Sequence, residues 1–141
     1  MIGAHTDKDM VPLVSSAMIG NVPVSKFLSP EKLTEVVENT KKGGATLTGL
    51  IGTSAWQAPG AGVATMVEAI VRNQGRVLPC SVELQGEFGL KDVFIGVPVK
   101  VSAKGAEKVY EIELSAAEKE AFTKSVAANT DLMNIARGFL T

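Results

Sequence analysis

Two runs rich in Val and Ile, residues 76–85 and 92–101, flank Gly86-Glu-Phe-Gly-Leu-Lys91 and constrain the fold of this 141-residue chain more than any other feature. Two such runs joined by a short glycine-containing loop predict an antiparallel hairpin. A second turn at residues 102–106 leads into residues 107–114. There Tyr110, Ile112 and Leu114 share one face while Glu111 and Glu113 share the other. Side chains alternate across a strand, so the segment has one apolar and one wet face. The expected product is an antiparallel meander that needs cover on one side only.

Helical segments supply the cover. Ser29 reads as an N-cap, with Pro30 at the first helical position and Glu31 in the first turn. Leu33, Val36 and Val37 lie on one face and Thr40 continues it. Lys41 and Lys42 suit a C-terminal dipole, and Gly43-Gly44 is the expected stop. Residues 45–60 are rich in Gly, Thr and Ser and are expected to break near Gly52 or Pro59. Val63, Met66, Val67, Ile70 and Val71 then follow helical spacing, with Glu68 and Arg72 paired outside and Gly75 as the stop. A last helix opens on the capping box Ser115-Ala-Ala-Glu118. Its apolar face includes Ala121, Phe122, Val126, Leu132 and Met133. Ahead of all these, residues 1–9 form a short glycine-containing segment, and residues 10–14 are extended because Pro12 restricts Val11. The order loop, helix, helix, strands, helix predicts one α+β domain over residues 1–141, with helices packed against an antiparallel sheet. It is not the alternating pattern of a Rossmann-type nucleotide-binding domain.

Composition narrows the function classes. Fourteen basic residues face 15 acidic ones without a basic block, so nucleic acid is not an expected partner. No apolar run approaches the roughly 18 residues that span a bilayer, so no membrane is expected. The start of the chain lacks the pattern of a signal peptide. A single cysteine, Cys80, makes no internal disulfide, and a cytoplasmic protein is the expectation. The mean hydropathy is slightly positive, which points to faces that meet another surface.

Few residues offer chemistry. The only histidine, His5, lies in Gly3-Ala-His-Thr-Asp7. An imidazole can hold and give a proton near neutral pH, yet on this ground alone a lone histidine is more often a surface or core residue than a catalyst. His5, Asp7 and Asp9 alternate, but the spacing matches no known cage and no metal is expected. Ser15, Ser16 and Ser54 lack a nucleophile elbow. Cys80 sits in a predicted strand as a small core residue. Gly60-Ala-Gly62 lacks both a third glycine and a preceding strand, and reads as a flexible helix start. Thr53-Ser-Ala-Trp56 could line a pocket, but the residues alone favour an ordinary loop with Trp56 packed beneath it.

Taken in series, several segments resemble the lactate/malate dehydrogenase family. Ile2-Gly-Ala-His-Thr-Asp7 followed by Met10-Val-Pro-Leu13 is similar to its catalytic-histidine segment, which reads G-x-H-G-D and then M-V-P in malate enzymes. Ser54-Ala55 and Ala58-Pro59, running into Val63-Ala-Thr-Met-Val-Glu-Ala-Ile70, are similar to its substrate-side loop and helix. Gly86-Glu-Phe-Gly-Leu-Lys-Asp-Val-Phe-Ile-Gly-Val-Pro-Val99 resembles its hairpin, and residues from 107 onward resemble its C-terminal end.

The resemblance implies the family's substrate-side, C-terminal domain. It implies hydride transfer between malate and NAD, giving oxaloacetate, with His5 as the catalytic proton acceptor and donor. It places Ser54 and Ala55 beside the substrate and Pro59 near the nicotinamide. The family's NAD-binding domain, its orienting aspartate and its substrate arginines precede the histidine, so all are expected outside this chain. Arg72, Arg76 and Arg137 do not match the arginine positions. The isolated chain is therefore expected to be inactive, and the parent to be a homo-dimer or tetramer. Lactate or another 2-hydroxy acid stays open as substrate, as does an assembly-only role. Two departures stand out: Thr6 replaces a glycine, and one extra residue separates Asp7 from Met10.

Overall fold

The computed structural model describes residues 1–139. Its strands are Ile2–Gly3 (β1), Met10–Val11 (β2), Met18–Ile19 (β3), Val22–Pro23 (β4), Arg76–Gln85 (β5), Lys91–Ser102 (β6) and Gly105–Val109 (β7). Its helices are Pro30–Ile51 (α1), Gln57–Val71 (α2) and Ala116–Gly138 (α3). The fold is α+β, with an antiparallel sheet and segregated helices, as expected.

β6 is the spine of the sheet. Val93, Ile95, Val97, Val99 and Val101 alternate along it and are all buried. Cys80 and Leu84 of β5, Ala69 of α2, Phe122 of α3, and Ile2, Ala4 and Val11 complete the same core. β5 covers one edge of β6 along its length, with Leu78 opposite Val99 and Leu84 opposite Val93. The other edge is shared. At Phe94, the backbone N–H donates to Sδ of Met133 and the carbonyl accepts from Asn129, both on α3. At Gly96, β1 pairs through Gly3. From Val99 to Ser102, β7 pairs, and the Tyr110 N–H reaches the Pro98 carbonyl at 2.9 Å.

This shared edge explains why β7 ends at Val109 and not at Leu114. A continuing strand would next meet Gly96, whose edge β1 already occupies. The expected alternation survives without the strand: Ile112 and Leu114 are half-buried, and Glu111 and Glu113 are exposed. Tyr110, expected with the apolar pair, is exposed instead.

α1 corrects a second expectation. It runs through Gly43-Gly44 and stops at Gly52, which adopts φ +72 with its N–H on the Thr48 carbonyl at 2.9 Å. Glycine in a helix interior is unfavourable by about 0.5–1 kcal/mol but does not end the helix by itself. A residue in the left-handed region does. α2 also starts earlier than its apolar pattern, at Gln57, and Pro59 is tolerated in the first turn. Trp56 precedes this helix and is 72% exposed, so it is not packed beneath the loop. α3 opens with the expected capping box, Ser115 and Glu118 exchanging bonds of 2.9 and 3.3 Å. Its buried face is Glu118, Phe122 and Ser125, while Leu132, expected inside, is exposed.

Candidate active site

The segment carrying His5 is short and is held from three sides. Gly3 adopts φ +97, which L side chains rarely take. A Cβ placed there would lie 2.7 Å from Ser125 Oγ and 2.8 Å from the Asp9 carbonyl oxygen. Gly96 is equally confined, since its Cβ would lie 2.7 Å from the Gly3 carbonyl oxygen. The two glycines let β1 and β6 meet closely. An isolated glycine inside a strand run is the sequence sign of such an approach. On the helix side, the Ala4 N–H donates to Ser125 Oγ at 2.8 Å, in a fully enclosed position.

After His5 the chain turns back at once. The Thr6 hydroxyl donates to Asp9 Oδ2 at 2.6 Å and accepts from the Asp9 N–H at 3.0 Å. The Thr6 carbonyl accepts from the N–H groups of Asp9 and Met10. This closed turn returns the chain to β2, which pairs with β1 through Ile2–Val11 and Gly3–Met10. Thr6 is thus the turn-closing residue, through a hydroxyl that glycine lacks.

The His5 imidazole is exposed and makes no hydrogen bond with another described residue. It lines a groove of about 720 Å³ together with Met10, Cys80, Phe94, Gly96 and Asn129. No Asp, Glu, Lys or Arg lines that groove among the described residues. Burial pushes the Cys80 thiol up, so it stays protonated and is a wall of the groove rather than a nucleophile. His5 is therefore the imidazole that this groove presents to solvent. The groove offers no guanidinium to clamp a carboxylate.

Ser54, Ala55 and Pro59 lie at the corner between α1 and α2, where Ser54 and Pro59 are exposed and Ala55 is half-buried. None of the three lines the His5 groove. Arg72 is engaged with Glu68 at 3.0 Å on the outside of α2. Gly60 and Gly62 are inside α2, and the Gly60 N–H is used by the Trp56 carbonyl. They form no phosphate-cradling turn. Asp9 is occupied by Thr6, and no group of three His, Cys, Asp or Glu side chains among the described residues is placed to hold a metal.

α3 adds Ser125 and Asn129, which the sequence pattern did not single out, to the capping residue Glu118 and the core residue Phe122 that it did. Glu118, Phe122, Ser125 and Asn129 follow helical spacing along its inner face. Glu118 accepts from the Ser15 N–H at 2.9 Å and the Ser15 hydroxyl at 2.5 Å, besides the Ser115 N–H. Burial would raise its carboxyl, but the bonds from Ser15 and Ser115 outweigh that and hold it down from 4.5 to about 2. A carboxyl depressed by folding stabilises above its unfolded pKa and loses that contribution as pH falls through the folded one. We therefore expect about 3 kcal/mol of stability to disappear between pH 4.5 and 2. Glu118→Gln should flatten this loss in urea titrations repeated across that range. An unchanged acid slope in the variant would count against the assignment.

Residues 1–139 match the profile of the lactate/malate dehydrogenase, alpha/beta C-terminal domain. A malate dehydrogenase of Parabacteroides distasonis is 57% identical over 128 residues, covering 91% of this chain and 41% of that protein. The chain thus spans less than half the length of such relatives. A solved malate dehydrogenase from Salinibacter ruber superposes with a TM-score of 0.88 at 43% identity, over 99% of this chain and 47% of that one. A lactate dehydrogenase from Cryptosporidium parvum gives 0.90 at 28% identity, over 95% and 46%.

Proposed function

Because the chain belongs to the lactate/malate dehydrogenase family, through its alpha/beta C-terminal domain, we propose that it is the substrate-side domain of an NAD-dependent malate dehydrogenase with His5 as proton acceptor and donor. The observation that carries this is the lone imidazole, exposed in a groove and mounted on a backbone fixed by β1, β6 and α3. In 2-hydroxy-acid oxidation, neutral His5 takes the hydroxyl proton; in the reverse direction its imidazolium polarises the carbonyl and returns the proton. NAD, when bound, accepts or supplies the hydride.

Among the described residues, Gly60 and Gly62, the glycine pair ahead of the apolar helix pattern, lie inside α2 and form no dinucleotide cradle. NAD binding is assigned to a separate domain, which also supplies the aspartate orienting His5 and the arginines clamping the substrate. Ser54, Ala55 and Pro59 belong to the rim completed by that domain. Trp56, Val71 and Leu50, exposed at 72, 76 and 79%, suit a chain that meets further surfaces, both that domain and other subunits of a homo-dimer or tetramer. The cytoplasm is the proposed compartment.

Malate is favoured over lactate by Met10-Val-Pro12 and by the malate dehydrogenases among its relatives. The test is NADH-dependent reduction of oxaloacetate against pyruvate. The two-domain protein is expected to prefer oxaloacetate, and the purified 141-residue chain to give no rate. A measurable rate from that chain, or a preference for pyruvate, would overturn the corresponding part of the reading.

A further inference from the structure

His5 makes no side-chain bond with the described residues, so within this chain its aim is inherited from its backbone. That backbone rests on β6 through Gly3 and on α3 through Ser125. Ser125 is wholly enclosed, a hydroxyl in the middle of a helix, one turn past Phe122. Its Oγ accepts from Ala4, the residue immediately before His5, across 121 positions of sequence. The same oxygen fills the space that Gly3 leaves by having no side chain. Apolar packing alone would be met by alanine at this position; only an acceptor satisfies the Ala4 N–H.

We propose that Ser125 is a positioning residue that sets the placement of His5 for proton transfer. This rests on the reading of His5 given above. Removing the acceptor leaves an enclosed N–H without a partner, and the simplest relief is a shift of the peptide that carries the imidazole. Displacements of about 1 Å at a reacting group lower rates by roughly 100-fold. The signature is a fall in kcat without a matching change in cofactor KM.

The experiment compares Ser125→Ala, Ser125→Cys, Phe122→Leu and His5→Asn in the two-domain enzyme. Ser125→Ala is expected to lower kcat about 10- to 100-fold with the KM for NADH unchanged. Ser125→Cys is somewhat larger and accepts weakly, so it should fall between serine and alanine, and it carries the test if the alanine variant does not fold. Phe122→Leu loosens the same helix without touching Ala4 and should leave kcat within about twofold. In the 141-residue chain, the imidazole NMR signals of its only histidine should move in Ser125→Ala and not in Phe122→Leu. Wild-type kcat in Ser125→Ala beside an inactive His5→Asn overturns this proposal alone, as does an equal kcat loss in Phe122→Leu. Wild-type turnover in His5→Asn overturns the functional reading and this proposal with it.

Discussion

Replacing His5 with asparagine in the two-domain enzyme is expected to lower turnover about 10²- to 10⁴-fold, the usual contribution of a positioned acid/base. Asparagine keeps polarity and approximate size but cannot cycle between neutral and protonated forms near pH 7. His5 is exposed and has no bond to lose within this chain, so the substitution should leave stability nearly unchanged. Cofactor affinity should also hold, because the described residues of this chain provide no dinucleotide cradle. Steady-state kinetics, a fluorescence titration with NADH and a urea melt separate the three quantities. Turnover retained in the asparagine variant would leave an assembly role as the better account of this domain.

Gly3→Ala should produce the largest loss of stability among single-methyl additions, roughly 3 kcal/mol or more. Two effects coincide there. The backbone is at φ +97, and the new Cβ would sit 2.7 Å from Ser125 Oγ and 2.8 Å from a backbone oxygen. Gly20 separates the effects, since it has φ +60 with nothing within 4 Å of a Cβ. Gly20→Ala should therefore lose only about 1–2 kcal/mol from backbone strain. Equal losses in the two variants, measured by denaturant unfolding, would mean that crowding at Gly3 is relieved by movement of β1. In that case turnover should fall instead, because His5 moves with the strand.

The sequence made some of this legible and hid the rest for physical reasons. The β5–β6 hairpin and the capping box at Ser115 were readable because period-two alternation and N-cap chemistry are local. The stop at Gly43-Gly44 was misread because composition was weighed without backbone conformation; Gly52 ends α1 through its positive φ. The end of β7 could not be read from residues 110–114, because it is decided by competition with β1 for an edge almost 100 residues away. The two-residue strands carry too few side chains for any period to register. At the proposed site, His5 stands out through the resemblance carried by its neighbours in series, whereas Ser125 and Asn129 read as ordinary helix polars. Ser125 had one available sign: it lies three residues after Phe122, on the face that buries apolar side chains.

The bond from Ala4 to Ser125, and that from Ser15 to Glu118, also fix an order of assembly. During synthesis His5 leaves the ribosome more than 100 residues before the helix that seats it. Until α3 is complete, β1 and β2 have only a few backbone bonds to hold them, and β6 presents an open edge at Phe94. Closing so long a span is entropically expensive and slow. His5 is thus made well before the helix that seats its backbone, which places completion of the groove after synthesis of α3 rather than before it.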